Sequence, residues 1–276
     1  QGNQEMLSHY VGPQAQFVRP VSRGGHYNRG EGVRMALSVG AASCGDFSSF
    51  HAQPVDPRST DIEPVVLNYS YGILVNDAGR RFTDEAPGMV DATYEEVARL
   101  IMAQRHGIAF AVFDAKLEDV KNWPVTVRSR VPPIEAESLP ELASAMGVDE
   151  QDFLATVEAY NCACPTSDGF EPLQTDGLST TGLAPRKSHW ARPISQGPFR
   201  AWPMICSNCF TFGGVKIDER ARVINADGDA IPGLYAADEV AGIYYRVYTG
   251  ATSVMRGAVM GRLVGSDAAL RRNAIG

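Results

Sequence analysis

Apolar residues recur at helical spacing over 31–41, where Val33, Ala36, Leu37 and Gly40 fall on one side. The stretch Ile73-Leu74-Val75-Asn76-Asp77-Ala78-Gly79-Arg80-Arg81-Phe82 predicts a hairpin, with Gly79 supplying the positive φ of its turn. Thr93-x-x-Glu96 has the spacing of a capping box opening a helix that would bury Tyr94, Val97, Ala98 and Ile101. Ser138-x-x-Glu141 repeats the signal for a short helix that Gly147 can end. Asp149 is placed to cap a third helix, buried along Phe153, Val157 and Tyr160. Residues 165–198 are rich in Pro, Gly, Ser and Thr and predict a long loop. Residues 215–217 and 222–225 predict two strands, with Asp227-Gly228 as turn chemistry. A helix is expected from Thr252, carrying Gly257, Gly261 and Gly265 at four-residue intervals for close approach to a neighbour.

Helices and hairpins alternate irregularly between Tyr71 and Pro203, unlike a βαβ series, so this part predicts an α+β fold. The flanking pieces are too short to form domains separately. The expectation is a middle domain, 52–204, inserted into a second one whose parts are 1–51 and 205–276.

Composition narrows the function. The formal net charge is −7 and the basic residues are scattered, which argues against nucleic acid and anionic membranes as partners. No apolar run nears the roughly 20 residues of a spanning helix, and no signal-peptide pattern opens the chain. The first residue is Gln1 rather than Met, so a longer natural chain is expected. Five cysteines, at 44, 162, 164, 206 and 209, suit a reducing, cytoplasmic setting. Cys162-x-Cys164 and Cys206-x-x-Cys209 lack typical zinc-ribbon spacing, so no metal is expected.

The last quarter carries the densest chemistry: Thr211-Phe212-Gly213-Gly214-Val215-Lys216-Ile217-Asp218, then Pro232-Gly233-Leu234-Tyr235-Ala236-Ala237-Asp238-Glu239-Val240-Ala241-Gly242, then the glycine-spaced helix. Arg29-Gly30-Glu31-Gly32-Val33-Arg34-Met35-Ala36-Leu37, Phe50-His51-Ala52-Gln53-Pro54 and the hairpin ending Arg81-Phe82-Thr83-Asp84-Glu85 precede it in order. Together these resemble the FAD-dependent fumarate reductase/succinate dehydrogenase flavoprotein family, over nearly the whole chain. Residues 109–116, 183–191 and 209–214 resemble most the tricarballylate dehydrogenases of that family.

The resemblance implies a substrate-capping domain inserted into the C-terminal portion of an α/β FAD-binding domain. It implies hydride transfer to flavin N5, with desaturation of a small polycarboxylate, tricarballylate to aconitate. Electrons would leave to an iron–sulfur or membrane partner. The N-terminal Gly-x-Gly-x-x-Gly dinucleotide loop does not occur in this sequence, so FAD is expected of the full-length protein and not of this chain. Apolar surface meant for the other half would then be exposed and favour self-association.

The site residues follow from both arguments. The first turn of the C-terminal helix, Ala251, Thr252, Ser253 and Val254, offers backbone N–H groups and a positive dipole end to a reduced flavin. By resemblance Glu239 contacts a ribose or ribityl hydroxyl. A glycine-rich packing helix without a ligand is the plain alternative. Arg246, with Thr249 near it, is the candidate carboxylate clamp, and a surface arginine over aromatic rings is its alternative. Thr83 and Glu85 close the hairpin near the expected pocket, or form a solvated turn. His51 can orient a carboxylate or the flavin carbonyl.

Three departures from the family pattern matter. Residues 86–91, just after Glu85, contain no arginine, Cys209-Phe210 replaces a histidine, and Tyr248 replaces an arginine, though Arg246 lies close. Tyr71, Tyr245 and Tyr248 are the remaining candidate proton acceptors, and each would need nearby cations to lower its pKa. The tyrosines also suggest a rival substrate, a ketosteroid. A further rival is a non-catalytic fragment that binds no FAD.

Overall fold

The computed structural model describes residues 1–167 and 169–275, with side chains to 271. In chain order the elements are α1 Gln4–Val11, β1 Arg19–Pro20, α2 Glu31–Ser38, β2 Ser43–Cys44, β3 Phe50–Val55 and β4 Ile73–Asn76. Then follow α3 Val90–Met102, β5 Ile108–Phe113, β6 Ile134–Ala136, α4 Leu139–Met146, α5 Glu150–Ala163 and β7 Phe199–Thr211. The last are β8 Gly214–Val215, β9 Arg222–Ile224, β10 Ala230–Tyr235 and α6 Thr252–Ile275. Helix and sheet are thus mixed as α+β. The chain divides into two compact units, one of residues 1–16, 24–51 and 208–276, the other of 17–23 and 52–207. Residues 17–23 belong to the second unit, although they precede it in sequence. No helix among the described residues is long and apolar enough to cross a membrane.

The 52–207 unit is built on a mixed-burial sheet in which β1, β7, β5 and β4 follow one another, with β3 and β6 also paired to β7. Strand alternation sorts its side chains into two cores. Ile73, Val75, Phe110 and Val112 face α4 and α5, meeting Leu142, Met146, Phe153, Val157 and Tyr160. Leu74, Ala109, Ala111 and Phe113 face the other way, meeting Val97 and Ile101 of α3 together with Tyr69 and Trp202. Antiparallel pairing of Ile73 with Val112 and of Phe110 with Pro203 sets the register.

Local signals held where nothing competed with them. Ser138 and Glu141 form a complete capping box, and Gly147 ends α4 at φ 70°. Asp149 accepts from the Asp152 amide at the start of α5. Gly79 takes φ 71° in the hairpin, where Asn76 and Arg80 pair through the backbone.

Other expectations fail for identifiable reasons. Thr93 does not cap α3, which begins a turn earlier after the extended Met89. The Thr93 hydroxyl is buried against Tyr69 Oη at 3.3 Å, so tertiary packing uses it instead. Helix α2 ends at Ser38 because Gly40 turns at φ 93°, and only Ala36 of its expected apolar face is buried. The turn at 225–229 joins β9 to β10, a strand that alternation did not announce because Pro232-Gly233 interrupts it. Along α6, a side chain at Gly257 would meet Asp238 at 3.4 Å, whereas nothing lies within 4 Å of one at Gly261 or Gly265. Val254, Met255, Val259, Leu263 and Leu270 of the same helix are exposed.

Residues 165–198 contain no helix or strand among those described, yet they are firmly held. Lys187 is fully buried and its ammonium donates to the Ser70 and Gly72 carbonyls, both at 2.6 Å. Ser188 Oγ donates to Asp84 at 2.5 Å, and Arg81 donates to the Pro185 carbonyl at 2.7 Å. Burial pushes the Lys187 pKa from 10.5 down to about 8. The folded state therefore holds fewer protons than the unfolded state between those values, and stability rises with pH across that window. We expect the stability of wild type relative to Lys187→Met to improve from pH 8 towards pH 10.5, by on the order of 3 kcal/mol in total. Urea unfolding of both proteins along that pH series measures it, and a flat or falling difference contradicts it.

Candidate functional site

In the unit of 1–16, 24–51 and 208–276, the chain enters α6 through a cluster of aromatic and hydroxyl side chains. Ala251 takes φ 63°, turning the backbone into the helix. The Thr249 carbonyl accepts from the Thr252 amide at 3.2 Å and from its hydroxyl at 2.5 Å. The Ser253 amide donates to Tyr248 Oη at 3.3 Å, and the Tyr248 and Ser253 hydroxyls share a 3.0 Å hydrogen bond. The Tyr244 and Thr252 hydroxyls share another at 2.6 Å. Two of the orphan amides of a helix start are thereby satisfied within the chain.

His51 completes the cluster. Its ring lies 4.3 Å from Tyr248 and 5.1 Å from Phe210, centre to centre. Phe210 in turn contacts Phe212, Tyr244 and Tyr248. His51 is thus brought beside Tyr248 and, through its hydroxyl, Ser253, both distant from it in sequence.

A buried cation underlies these rings, and the sequence reading missed it. The Arg256 guanidinium carbon sits 4.7 Å from the Tyr244 ring centre and 5.4 Å from that of Phe210. Arg256 Nη2 pairs with Asp238 Oδ1 at 3.1 Å. Asp238 itself adopts φ 58°, a left-handed conformation costing about 1 kcal/mol or more that this pairing helps to offset. Spacing gave one usable signal: an arginine in the second turn of a glycine-rich helix, preceded by tyrosines. The neighbouring Glu239 accepts from Asn28 Nδ2 at 2.6 Å, and burial raises its carboxyl above the usual carboxylate range. An acidic acceptor and a helix start thus stand on either side of the Arg256–Asp238 pair. This donor and acceptor set fits the ribityl hydroxyls and the N1–C2 edge of a flavin.

Other candidates have different employment. Arg246 and Thr249 are exposed in this unit. Tyr245 is exposed, and its hydroxyl lies 3.2 Å from Cys44 Sγ, a contact that raises its pKa. Tyr71 belongs to the 52–207 unit, where its hydroxyl donates to the Pro172 carbonyl at 2.7 Å and burial raises its pKa. Neither phenol has the lowered pKa that a proton acceptor needs.

Glu85 is fully buried. It accepts from Arg81 at 2.8 and 2.7 Å and from the Leu74 amide at 3.0 Å, so its carboxylate is consumed by the fold rather than offered to a substrate. Thr83 is half-buried, and its hydroxyl donates back to the Asp84 carbonyl at 3.4 Å. All five cysteines are free, and no three His, Cys, Asp or Glu side chains come together as a metal site among the described residues.

Comparison with known proteins gives this geometry its setting. Residues 11–254 match the model of a family described as FAD binding domain, and the chain belongs to that family. It is 29% identical over 244 residues to the NADH:fumarate oxidoreductase of Klebsiella pneumoniae (strain 342), covering 88% of this chain and 24% of that protein. It is also 29% identical, over 272 residues, to the 4-oxocyclohexanecarboxylate 2-dehydrogenase of Sinomonas cyclohexanicum, covering 88% and 46% respectively. A flavocytochrome c3 fumarate reductase in its open conformation superposes with a TM-score of 0.70 at 25% identity, over 97% of this chain and 44% of that one. The chain therefore spans less than half of each relative. Its homologues are FAD-dependent oxidoreductases.

The Arg256 arrangement has a measurable consequence. Arg256→Met removes two ring contacts and leaves Asp238 strained and unpaired, so we expect a loss of about 1–3 kcal/mol in urea unfolding. Arg256→Lys should recover part of it, since an ammonium cannot present the fork. Tyr248→Phe, which strips the acceptor from the Ser253 amide, should cost about 1 kcal/mol. Wild-type stability in Arg256→Met would show that the pair does not hold the α6 entrance.

Proposed function

We propose that this chain is part of a cytoplasmic FAD-dependent oxidoreductase that desaturates a small polycarboxylate, tricarballylate to aconitate. In this reading 52–204 caps the substrate, and the two flanking segments supply part of the flavin domain. The observation that carries the cofactor assignment is the clustering of Glu239, the Arg256–Asp238 pair and the Tyr248-capped start of α6. Bound FAD supplies the hydride acceptor, N5.

The chain's own residues do the rest. The chain entering α6, Ala251 to Val254, would face the N1–C2 edge with its positive dipole end and the amides that Thr249 and Tyr248 do not already engage, and Glu239 would accept from a ribityl or ribose hydroxyl. His51, fixed between Phe210 and Tyr248, would orient the substrate carboxylate or the flavin carbonyl. Arg246, exposed in this unit, would clamp a carboxylate through its fork. Tyr248 would take the substrate proton, its hydroxyl already oriented by Ser253. Electrons would pass to an iron–sulfur or membrane partner. Support for the polycarboxylate comes from the motif order.

One observation favours a second reading. The rings of Phe210, Phe212, Tyr244 and Tyr248 make this surface aromatic, and its buried cation is already paired with Asp238. Such a lining suits a carbonyl-bearing ring, a ketosteroid or a keto-cyclohexane, better than a trianion. The likeness to a 4-oxocyclohexanecarboxylate dehydrogenase is in keeping with that alternative.

Two measurements test the proposal. The 276-residue chain titrated with FAD should bind it weakly and emerge colourless from gel filtration, since adenine and pyrophosphate need the missing glycine loop. A yellow protein after filtration refutes that. Steady-state turnover of the FAD-loaded, full-length enzyme with an artificial electron acceptor should favour tricarballylate over 4-oxocyclohexanecarboxylate and 3-oxosteroids. Arg246→Ala should then lower kcat/KM about tenfold, mostly through KM, as befits an exposed clamp. Preference for the ketones, with Arg246→Ala silent, transfers the assignment to the second reading.

A further inference from the structure

Glu239, which the flavin reading sets against a cofactor hydroxyl, is held from one side only. Asn28 Nδ2 donates to its Oε2 at 2.6 Å from 211 positions away, and no other hydrogen bond reaches the carboxylate among the described residues. Both ends of this bond are fixed independently of it. The Asn28 amide donates to the Gly25 carbonyl at 3.2 Å, and the Asn28 carbonyl accepts from the Gly2 amide at 2.7 Å. Asn3 Nδ2 donates to the next carbonyl, that of Arg29, at 3.1 Å. Glu239 lies in a single helical turn, Asp238–Val240, which the Arg256–Asp238 pair anchors to α6. Helix α2 also meets that turn directly, since a side chain at Gly32 would lie 3.4 Å from Val240.

The bond is therefore not what attaches the two segments. Asn28 is exposed, so water can serve both partners when they part, and the bond adds little to stability. What it fixes is the rotamer of a long side chain that otherwise keeps its freedom. With Oε2 engaged, Oε1 is left to accept from a ligand. The same donor acts on charge. Burial raises the Glu239 carboxyl; the Asn28 amide, the Gln1 amino group and Arg256 oppose that shift, and Asp238 adds to it. Asn28 thus favours the ionised, acceptor-only form that suits a hydroxyl donor.

We propose that Asn28 is a positioning residue, which holds Glu239 so that Oε1 accepts from a hydroxyl of the bound flavin cofactor. This rests on the flavin reading above and deepens it. The polarity of the pair can be reversed, which gives the proposal a sharp test. In Asn28→Asp two carboxylates oppose each other and Glu239 has to turn away. In Glu239→Gln, Asn28 keeps the carbonyl oxygen and leaves an amide donor facing the cofactor. In the double variant the new carboxylate at 28 takes the new amide at 239, so a carbonyl oxygen faces the cofactor again, at unchanged net charge.

Flavin fluorescence during titration of the full-length apoprotein with FAD reads these states. Each single variant should raise Kd about tenfold, and the double variant should return to within about threefold of wild type. In Asn28→Ala the loss of FAD affinity on the acid side should begin at higher pH than in wild type, because a carboxyl without that donor protonates more readily. Urea unfolding of the 276-residue chain should give Asn28→Asp the wild-type midpoint. Titration with FMN identifies the hydroxyl: the same cost of Asn28→Asp for FMN assigns the ribityl chain, and a cost confined to FAD assigns the adenosine ribose. A double variant no tighter than the single ones, an unshifted pH profile in Asn28→Ala, or a lowered urea midpoint for Asn28→Asp overturns the proposal and leaves the flavin reading standing. Wild-type affinity in Glu239→Gln, or no binding of FAD at all, removes the Glu239 contact from the flavin reading and this proposal with it.

Discussion

Charge taken out of water must be answered on the spot, and that constraint organises both units. In the 52–207 unit, Glu85 has no exposure at all, and the Arg81 fork neutralises it. The same arginine reaches the Pro185 carbonyl, so the ion pair also ties the hairpin to the loop of 165–198. Lys187 returns the connection from the loop side by donating into the turn at 70–72. A long segment with no helix or strand among its described residues is held in place by a few charged groups that have nowhere else to go. In the other unit, Arg256 plays the corresponding part beneath the rings of Phe210 and Tyr244, and its partner Asp238 fixes the turn that bears Glu239.

Much of the fold could be read from local chemistry. The Ser138–Glu141 box, the Asp149 cap and the Gly79 turn each involve residues within a few positions of one another, and short-range geometry decides them. Thr93 shows where that reasoning stops. Its spacing to Glu96 is right for a cap, but a buried tyrosine hydroxyl 24 residues away claims it. The strand β10 was invisible for a different reason, because Pro232-Gly233 masks alternation in a sheet edge that tolerates both residues.

The site was legible in outline only. His51 was named from motif position, Ser253 from the helix start and Tyr248 from the tyrosine cluster, and the structure places the three together at the α6 entrance. Glu85 and Arg81 belong to the same motif as the pocket candidates, yet their mutual pairing is a matter of tertiary burial that spacing cannot express. Arg256 was overlooked because an arginine in a surface-type helix normally points to solvent. Only its burial against Phe210, 46 positions earlier, reveals it as structural.

The unit that bears the α6 entrance is assembled from three stretches of chain, and its small sheets join distant parts. Ser43 and Cys44 pair with Val215 and Gly214, and Ala41 bridges to Asn225. Closing such loops from a disordered chain carries an entropic cost that grows with the length enclosed. The intervening 52–207 segment reduces that cost when it folds, because it replaces a long flexible loop with a compact body. During synthesis β2 must wait, unpaired, until β8 leaves the ribosome. The order of assembly is therefore written into the connectivity: the unit of 17–23 and 52–207 precedes β8 and α6 in the chain and can form before them, and the α6 entrance can be completed only afterwards.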